Sequence, residues 1–343
     1  MKYFFSLSKD EQSFILQKSA NSNGLQPEMI HKDLWICFLL EKISLLPETI
    51  IFKGGTSLSK GFNLINRFSE DIDLTVDHRF FISNINIYEL SKTQQKKLSD
   101  KLNNILVYYL ENTVINHLKK FLSEFTFFND LKLILNKGNH QIEFYYPKIF
   151  DNTKGYIKDY IFLEFGIRNN VVPSEKIKIF PYVNNVIPKD VELPTPTILT
   201  LSPIRTFWEK VTLIHVECFR KRLSINVDRL SRHWYDLYML SQSFVYKEAL
   251  NKLDIFQDVL RIKKIFFNAS YCHYSECEKG NISLIPCKKE LMFLQKDYDA
   301  MIDSGMFSNQ APSFSDILDN LILIEEKINN KIKSIISRTN SIT

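Results

Sequence analysis

The chain has 343 residues, 45% hydrophobic and 24% charged, a composition that buries a core and excludes global disorder. Nine glycines are too few for glycine-rich repeats or most all-β barrels, and five widely spaced cysteines form no disulfide framework and point to a reducing compartment. The net charge of +5 permits a nucleic-acid partner without requiring one, and no stretch of about 20 apolar residues is present to span a membrane, so a cytoplasmic protein of about two domains is expected.

Residues 9–47 predict helix. Apolar residues recur at helical spacing from Phe14 and Ile15, and again through Ile30, Leu34, Trp35, Phe38 and Leu39, with a loop at 21–26 and Pro27 suited to a first turn. Residues 49–52 read as a strand closed by Gly54 and Gly55, residues 56–66 as a helix, and residues 72–76 as a second strand. A long polar helix is expected over 87–125, and strands of one sheet at 131–135, 141–146 and 160–167. Residues 171–203 carry Pro173, Pro181, Pro188, Pro194, Pro196 and Pro203, a density that disfavours helix and predicts a linker or edge segment with a lobe boundary. From 203 onward everything reads as helix: 203–222, 228–243, 245–267, 289–303 and 313–337.

The chemistry concentrates in Phe52-Lys53-Gly54-Gly55-Thr56-Ser57-Leu58-Ser59-Lys60 and Arg67-Phe68-Ser69-Glu70-Asp71-Ile72-Asp73-Leu74. Two glycines after a strand allow a sharp turn and close backbone approach, and the helix opened by Thr56 and Ser57 favours phosphate at its N-terminus. The spacing is not that of the GxxxxGK[ST] loop. Asp71 and Asp73, two apart on a strand, share a face. Paired carboxylates repel unless compensated, and magnesium, held by carboxylates and substrate phosphates, is a natural compensator.

These segments resemble motif I of the DNA polymerase β-type nucleotidyltransferase superfamily and, more narrowly, the AbiEii/AbiGii-type nucleotidyltransferase toxins. Arg205-Thr206-Phe207-Trp208-Glu209-Lys210 is similar to that family's second motif, and Arg229-Leu230-Ser231-Arg232-His233-Trp234-Tyr235-Asp236-Leu237 to its third. A looser likeness runs through residues 301–321. The resemblance implies an α+β fold: a polymerase β-type catalytic lobe with a mixed sheet and flanking helices over 1–200, and an all-helical lobe over 201–343 that closes the cleft. It implies transfer of a nucleoside monophosphate from an NTP to an acceptor hydroxyl, with Mg2+ (or Mn2+) on Asp71 and Asp73. Gly54, Gly55, Thr56, Ser57 and Lys60 would bind the nucleotide, Lys210 would neutralise departing pyrophosphate, and Asp236 would complete the site. The superfamily's third carboxylate falls on Glu164, a lone acid in an apolar strand, with Glu143 second. Asp71, Asp73 and Glu164 are each open to accept the hydroxyl's proton. The implied acceptor is the tRNA 3′ end, and the implied partner a cognate antitoxin in a toxin–antitoxin or phage-defence system. A protein or small-molecule acceptor and a catalytically silent nucleotide-binding module are the alternatives.

The residues also admit plainer readings. Lys210 flanks the apolar stripe of its helix and could be a surface lysine paired with Glu209 or Glu217, and Asp236 could pair with Arg232 one turn earlier. His215 falls on the apolar face and reads as a core residue, and His233 as architectural. Cys272, His273, Cys277 and Cys287 lack a Cys-x-x-Cys knuckle, so zinc is not expected. Arg220-Lys221-Arg222, with Arg229 and Arg232, is either a solvated face or a guide for an RNA backbone.

Overall fold

The computed structural model describes residues 2–47, 49–83, 85–124, 131–150, 157–220 and 229–340. They divide into two units. The first comprises Met1–Ile85, Lys97–Leu201 and Ser304–Gln310, and the second Asn86–Lys96, Ser202–Asp303 and Ala311–Thr343. Two short segments thus belong with the unit that the expected division at residue 200 does not give them.

The first unit starts with a short strand β1 (Lys2–Tyr3) and helix α1 (Lys9–Asn23). Ser8 caps α1 in a reciprocal box with Glu11, and Gly24, at φ 65°, ends it in the left-handed conformation that glycine tolerates. Helix α2 (Pro27–Ile43) starts on proline and is buried along nearly its whole length. Strand β2 (Ile50–Lys53) follows, then one turn of helix α3 (Gly54–Thr56) continued as a π-turn over Ser57–Gly61. The helix expected over 56–66 is therefore shorter: Asn63 adopts φ 53°, which helix does not accommodate. Strand β3 (Ile72–Val76) comes next, and helix α4 (Lys92–Tyr109) runs through a π-turn into α5 (Ile115–Leu122).

Strands β4 (Lys132–Asn136), β5 (Gln141–Tyr145), β6 (Tyr160–Gly166), β7 (Ser174–Lys178), β8 (Val191–Glu192) and β9 (Thr197–Leu201) complete the unit. Seven strands form one mixed sheet in the order β4-β5-β6-β3-β2-β9-β7, and β1 pairs separately with β8. Of the expected linker or edge segment, the proline-rich stretch forms the edge: β7 is the end strand of the main sheet, and the unit boundary falls after Leu201. The stretch holds two strands of the main sheet, and β9 lies inside the sheet between β2 and β7. Each proline falls outside the ladders, where its missing N–H costs nothing, and Pro203 starts the next helix. On one face of β5 and β6, Ile142, Phe144, Ile161, Leu163 and Phe165 are buried, and Trp35 of α2 packs on Phe144 with ring centroids 5.5 Å apart. Residues 304–310 return to this unit: Phe68 N donates to the Met306 carbonyl at 2.6 Å, and Arg67 bridges Phe307.

The described part of the second unit is helical: α6 (Pro203–Phe219), α7 (Arg232–Ser241), α8 (Phe244–Asn251), α9 (Leu253–Phe266), α10 (Tyr274–Glu278), α11 (Lys288–Asp303) and α12 (Phe314–Asn340). The single helix expected over 245–267 breaks at Lys252, which buries Val245 and Ala249 on one side and Ile255, Phe256 and Val259 on the other. Phe207, Trp208, Val211, Trp234 and Leu237 are fully buried in its core. Among the described residues no helix is long and apolar enough to cross a membrane.

Candidate active site

β2 delivers the chain to a turn that only glycine fits. Gly54 has φ +77°, and a Cβ there would lie 1.8 Å from Asp73 Oδ2. A Cβ on Gly55 would lie 2.5 Å from Arg67 Nη2 and 3.1 Å from Ser69 Oγ. Thr56 Oγ1 donates to the Asp71 carbonyl and shares a 2.8 Å hydrogen bond with Ser69 Oγ, while Ser57 Oγ donates to the Gly54 carbonyl at 2.9 Å. The two sequence segments are therefore tied together by short polar contacts, and the glycine turn is moulded against the Asp73 carboxylate.

The sheet then aligns the acids. Ile72 and Leu74 are buried while Asp71 and Asp73 are half-exposed, so the two carboxylates share a face. β3 pairs in parallel with β6, with Asp73 beside Glu164, and antiparallel with β2, with Asp73 beside Lys53. On its far side Glu164 faces Gln141 of β5, whose Nε2 donates to Glu164 Oε2 at 3.2 Å. One row across four strands thus reads Gln141, Glu164, Asp73, Lys53, at the strand spacing of about 4.8 Å. Glu143 lies on the same face one row away, opposite Phe162, and accepts the Tyr145 hydroxyl at 2.8 Å. Of the two acids weighed for the third carboxylate, Glu164 is the one beside Asp73.

Behind this face, two adjacent residues of α2 hold the motif. Lys32 Nζ is ion-paired with Glu70, each side chain 1% exposed, and donates to the Lys158 carbonyl at 2.8 Å. Glu70 also accepts the Lys158 N–H at 3.1 Å, which joins the residue before Asp71 to the start of β6. Asp33 pairs with Lys60 at 2.8 Å, the side chains 1% and 4% exposed, and accepts the Tyr182 N–H at 2.7 Å. Lys60 Nζ also lies 3.8 Å from the centre of the Tyr182 ring. Burial works against the Lys60 charge, but the Asp33 carboxylate outweighs it and holds the pKa above its usual value. Lys60, expected to contact nucleotide, is a buried partner of Asp33. Charged residues inside the apolar run of α2 were the available signal for Lys32 and Asp33, because an unpaired buried charge is costly.

In the second unit, α6 and α7 bring Lys210 and Asp236 together. Lys210 Nζ lies 2.7 Å from Asp236 Oδ2, with the side chains 7% and 0% exposed. Lys210 is thus not the surface lysine of the plainer reading, and Asp236 is paired with Lys210. Arg205 of the same motif binds Asp258 at 2.7 Å. His215 is a satisfied core residue: Nδ1 accepts the Ser283 N–H at 3.0 Å, Nε2 faces the His273 carbonyl at 3.3 Å, and burial pushes its pKa down to about 4. Arg229 meets Asp297 through its backbone N–H at 2.7 Å, whereas Lys221 and Arg222 lie outside the described residues.

The donor set suits a hard divalent cation. Asp71, Asp73 and Glu164 offer only carboxylate oxygens, and Mg2+ takes one or two carboxylates plus water and substrate phosphates. Among the described residues no group of three or more His, Cys, Asp or Glu forms a ready-made metal cage, and magnesium requires none.

The profile of the AbiEii family, described as nucleotidyl transferase AbiEii toxin of type IV toxin–antitoxin systems, matches residues 38–320. Among curated proteins none matches the chain. Among solved structures the chain is similar to MenT4, a nucleotidyltransferase toxin from Mycobacterium tuberculosis H37Rv, with 13% identity and a TM-score of 0.41 over 93% of this chain and 99% of that one.

Proposed function

We propose, since the chain belongs to the AbiEii family and is a nucleotidyltransferase toxin of the type IV toxin–antitoxin class, that it transfers a nucleoside monophosphate from an NTP to the hydroxyl at a tRNA 3′ end and releases pyrophosphate. The observation that carries this reading is the register of Asp73 with Glu164, with Asp71 two residues earlier, against a glycine turn that has no room for a Cβ. Asp71, Asp73 and Glu164 would hold Mg2+ or Mn2+. Such an ion, when bound, would offset the triphosphate's charge and make the acceptor hydroxyl more acidic. A carboxylate of the three takes the hydroxyl's proton. Gln141 holds Glu164 in place through its hydrogen bond.

Gly54, Gly55, Thr56 and Ser57 are assigned to the triphosphate on the strength of the family resemblance. Lys60 is not, since Asp33 occupies its ammonium. Lys210 and Asp236 are proposed to be required for transfer as a bonded pair. The same reading brings with it a cognate antitoxin, action in the cytoplasm and a part in phage defence.

The test incubates the protein with each α-³²P-labelled NTP, magnesium and total tRNA, beside Asp71→Ala and Asp73→Ala. Label on tRNA that is lost in both variants and with chelator supports the reading. Label on a protein, or none anywhere while NTP binding is intact, overturns the tRNA acceptor.

A further inference from the structure

The face that carries Asp73 and Glu164 continues outward over β6, β5 and β4, and its side chains there are not those of an ordinary solvated sheet. Register sets them in rows. Tyr160 lies beside Tyr145, which lies beside Lys132; Phe162 lies beside Glu143, which lies beside Ile134; Glu164 lies beside Gln141, which lies beside Asn136. Tyr145, Tyr160 and Phe162 are half-exposed, and Lys132, Ile134 and Asn136 are exposed. Their neighbours on the opposite face, Ile142, Phe144, Ile161 and Leu163, are fully buried. This second aromatic layer therefore lies on the face of the sheet turned away from those buried side chains. The Tyr145 and Tyr160 rings lie 5.2 Å apart, those of Tyr160 and Phe162 4.8 Å apart, and Lys158 Nζ sits 4.1 Å above Phe162.

We propose that this face is the acceptor platform: the unpaired bases of a single-stranded RNA end stack on Tyr145, Tyr160 and Phe162, and the terminal ribose then reaches Asp73 and Glu164. The proposal rests on the reading of the carboxylate row as the transfer site. Rings borne on a sheet are the common means of holding unstacked bases, because every base has a π-face. Tyr160, Phe162 and Glu164 are successive residues on one side of β6, about 6.6 Å apart, so the rings lead in a line to the carboxylates. Lys132, beside Tyr145, provides a cation for the backbone at the end of the face away from the acids, and Lys158 one over Phe162. A lysine resting on a ring is a mobile cover that a phosphate can draw off. Glu143 keeps an oxygen beyond the one bonded to Tyr145, and a carboxylate in that place accepts from the amino edge of cytosine or adenine. A duplex would find no use for these rings, since its bases are already stacked. An unpaired end uses all of them.

The experiment measures the KM for tRNA, for a short single-stranded RNA of the same 3′ sequence, and for NTP, using the full chain. Tyr160→Ala and Phe162→Ala are expected to raise both RNA KM values about tenfold or more and to leave the NTP KM within about twofold. Tyr160→Phe and Phe162→Trp, which keep a π-face, are expected to restore them. Tyr108→Ala removes an exposed aromatic elsewhere in the chain and is expected to leave the RNA KM alone. Independently of any variant's folding, RNA carrying 4-thiouridine near its 3′ end is expected to crosslink to peptides of residues 141–145 or 158–166. Transfer to RNA with unchanged RNA KM in the alanine variants, or crosslinks confined to other peptides, overturns the platform and leaves the reaction standing. Label found on a protein and on no RNA overturns the acceptor class together with the platform.

Discussion

Lys32→Met is the sharpest test of how the carboxylate segment is held. Lys32 and Glu70 are each 1% exposed, so the substitution leaves a carboxylate in the interior without its ammonium partner. Removing one member of such a pair costs about 3–5 kcal/mol, against a total stability of roughly 5–15 kcal/mol. For a domain of roughly 150–250 residues that lowers the melting midpoint by about 6–20 °C. Lys32→Met/Glu70→Gln separates stability from positioning. Methionine matches the lysine stem, and glutamine keeps an acceptor for the Lys158 N–H, which now bonds Glu70 at 3.1 Å. Two neutral side chains in place of a buried ion pair return most of the lost stability. They do not return the charged clamp that joins α2, the residue before Asp71 and the start of β6. The expected outcome is a midpoint near wild type with kcat for nucleotide transfer still down at least tenfold, measured by calorimetry and single-turnover labelling on the same preparations. A double variant with full kcat would show that the pair only stabilises. A Lys32→Met midpoint within 2 °C of wild type would refute the burial argument itself.

Two further expectations follow from the same geometry. Gly54→Ala puts a methyl 1.8 Å from Asp73 Oδ2 and asks alanine to adopt φ +77°, so transfer is expected to fall at least a hundredfold in a chain whose circular dichroism is unchanged; near-normal labelling would refute the close approach. Acid should destabilise the protein through two buried histidines, His31 and His215, whose pKa values burial pushes from the ordinary 6.5 down to about 3 and about 4. His31 Nε2 accepts the Trp35 indole N–H at 3.1 Å and must stay neutral to do so. Because both folded values lie below the unfolded one, the unfolded chain binds more protons, and stability is full above about pH 6.5 and falls as pH drops toward 4. Each histidine costs about 2 kcal/mol between about pH 7.5 and 5, and His31→Asn should flatten the first unit's share of that slope in a melting series; an unchanged slope would refute the assignment.

What could be read from sequence divides along a physical line. Asp71, Asp73 and the strand around them were legible because alternation of charge and apolar residues is a local pattern, and Glu164 stood out as one acid among apolar neighbours. Its place beside Asp73 was not legible, since register depends on how β3 and β6 slide against each other, which no local pattern states. The ion pairs of Lys32 and Asp33 join residues far apart in the chain, and helical periodicity only marks them as charges in the wrong place. Lys60 belongs with them: its spacing from the glycines is local, its partner on α2 is not. The prolines of 171–203 marked the sheet edge at β7 and the boundary after Leu201, but their density hid β9, which lies inside the sheet. Read one by one, they flank β7 and β9 and interrupt neither.

The carboxylate row should be a place where the protein gives up stability, and Glu164→Gln measures how much. Asp73 and Glu164 are like charges on adjacent strands at the same level, an arrangement that costs about 0.2–1 kcal/mol in a sheet. Glutamine removes the repulsion, keeps a polar contact to Gln141 and leaves Lys53 on the other side of Asp73 untouched. The metal-free variant is therefore expected to melt about 0.4–4 °C higher than wild type, while transfer drops at least a hundredfold. Magnesium should raise the wild-type midpoint, because an ion that binds only the folded state at ten times its dissociation constant adds about 1.4 kcal/mol. In Glu164→Gln that rise should shrink or vanish. Glu143→Gln is the matched control: its neighbours across the strands are Phe162 and Ile134, its bond from Tyr145 survives the change, and neither the metal-free midpoint nor the magnesium response should move. A metal-free Glu164→Gln that melts lower than wild type would mean that the acid is held by attraction already present in the fold. The row would then be a structural network, and the third carboxylate would have to be sought elsewhere.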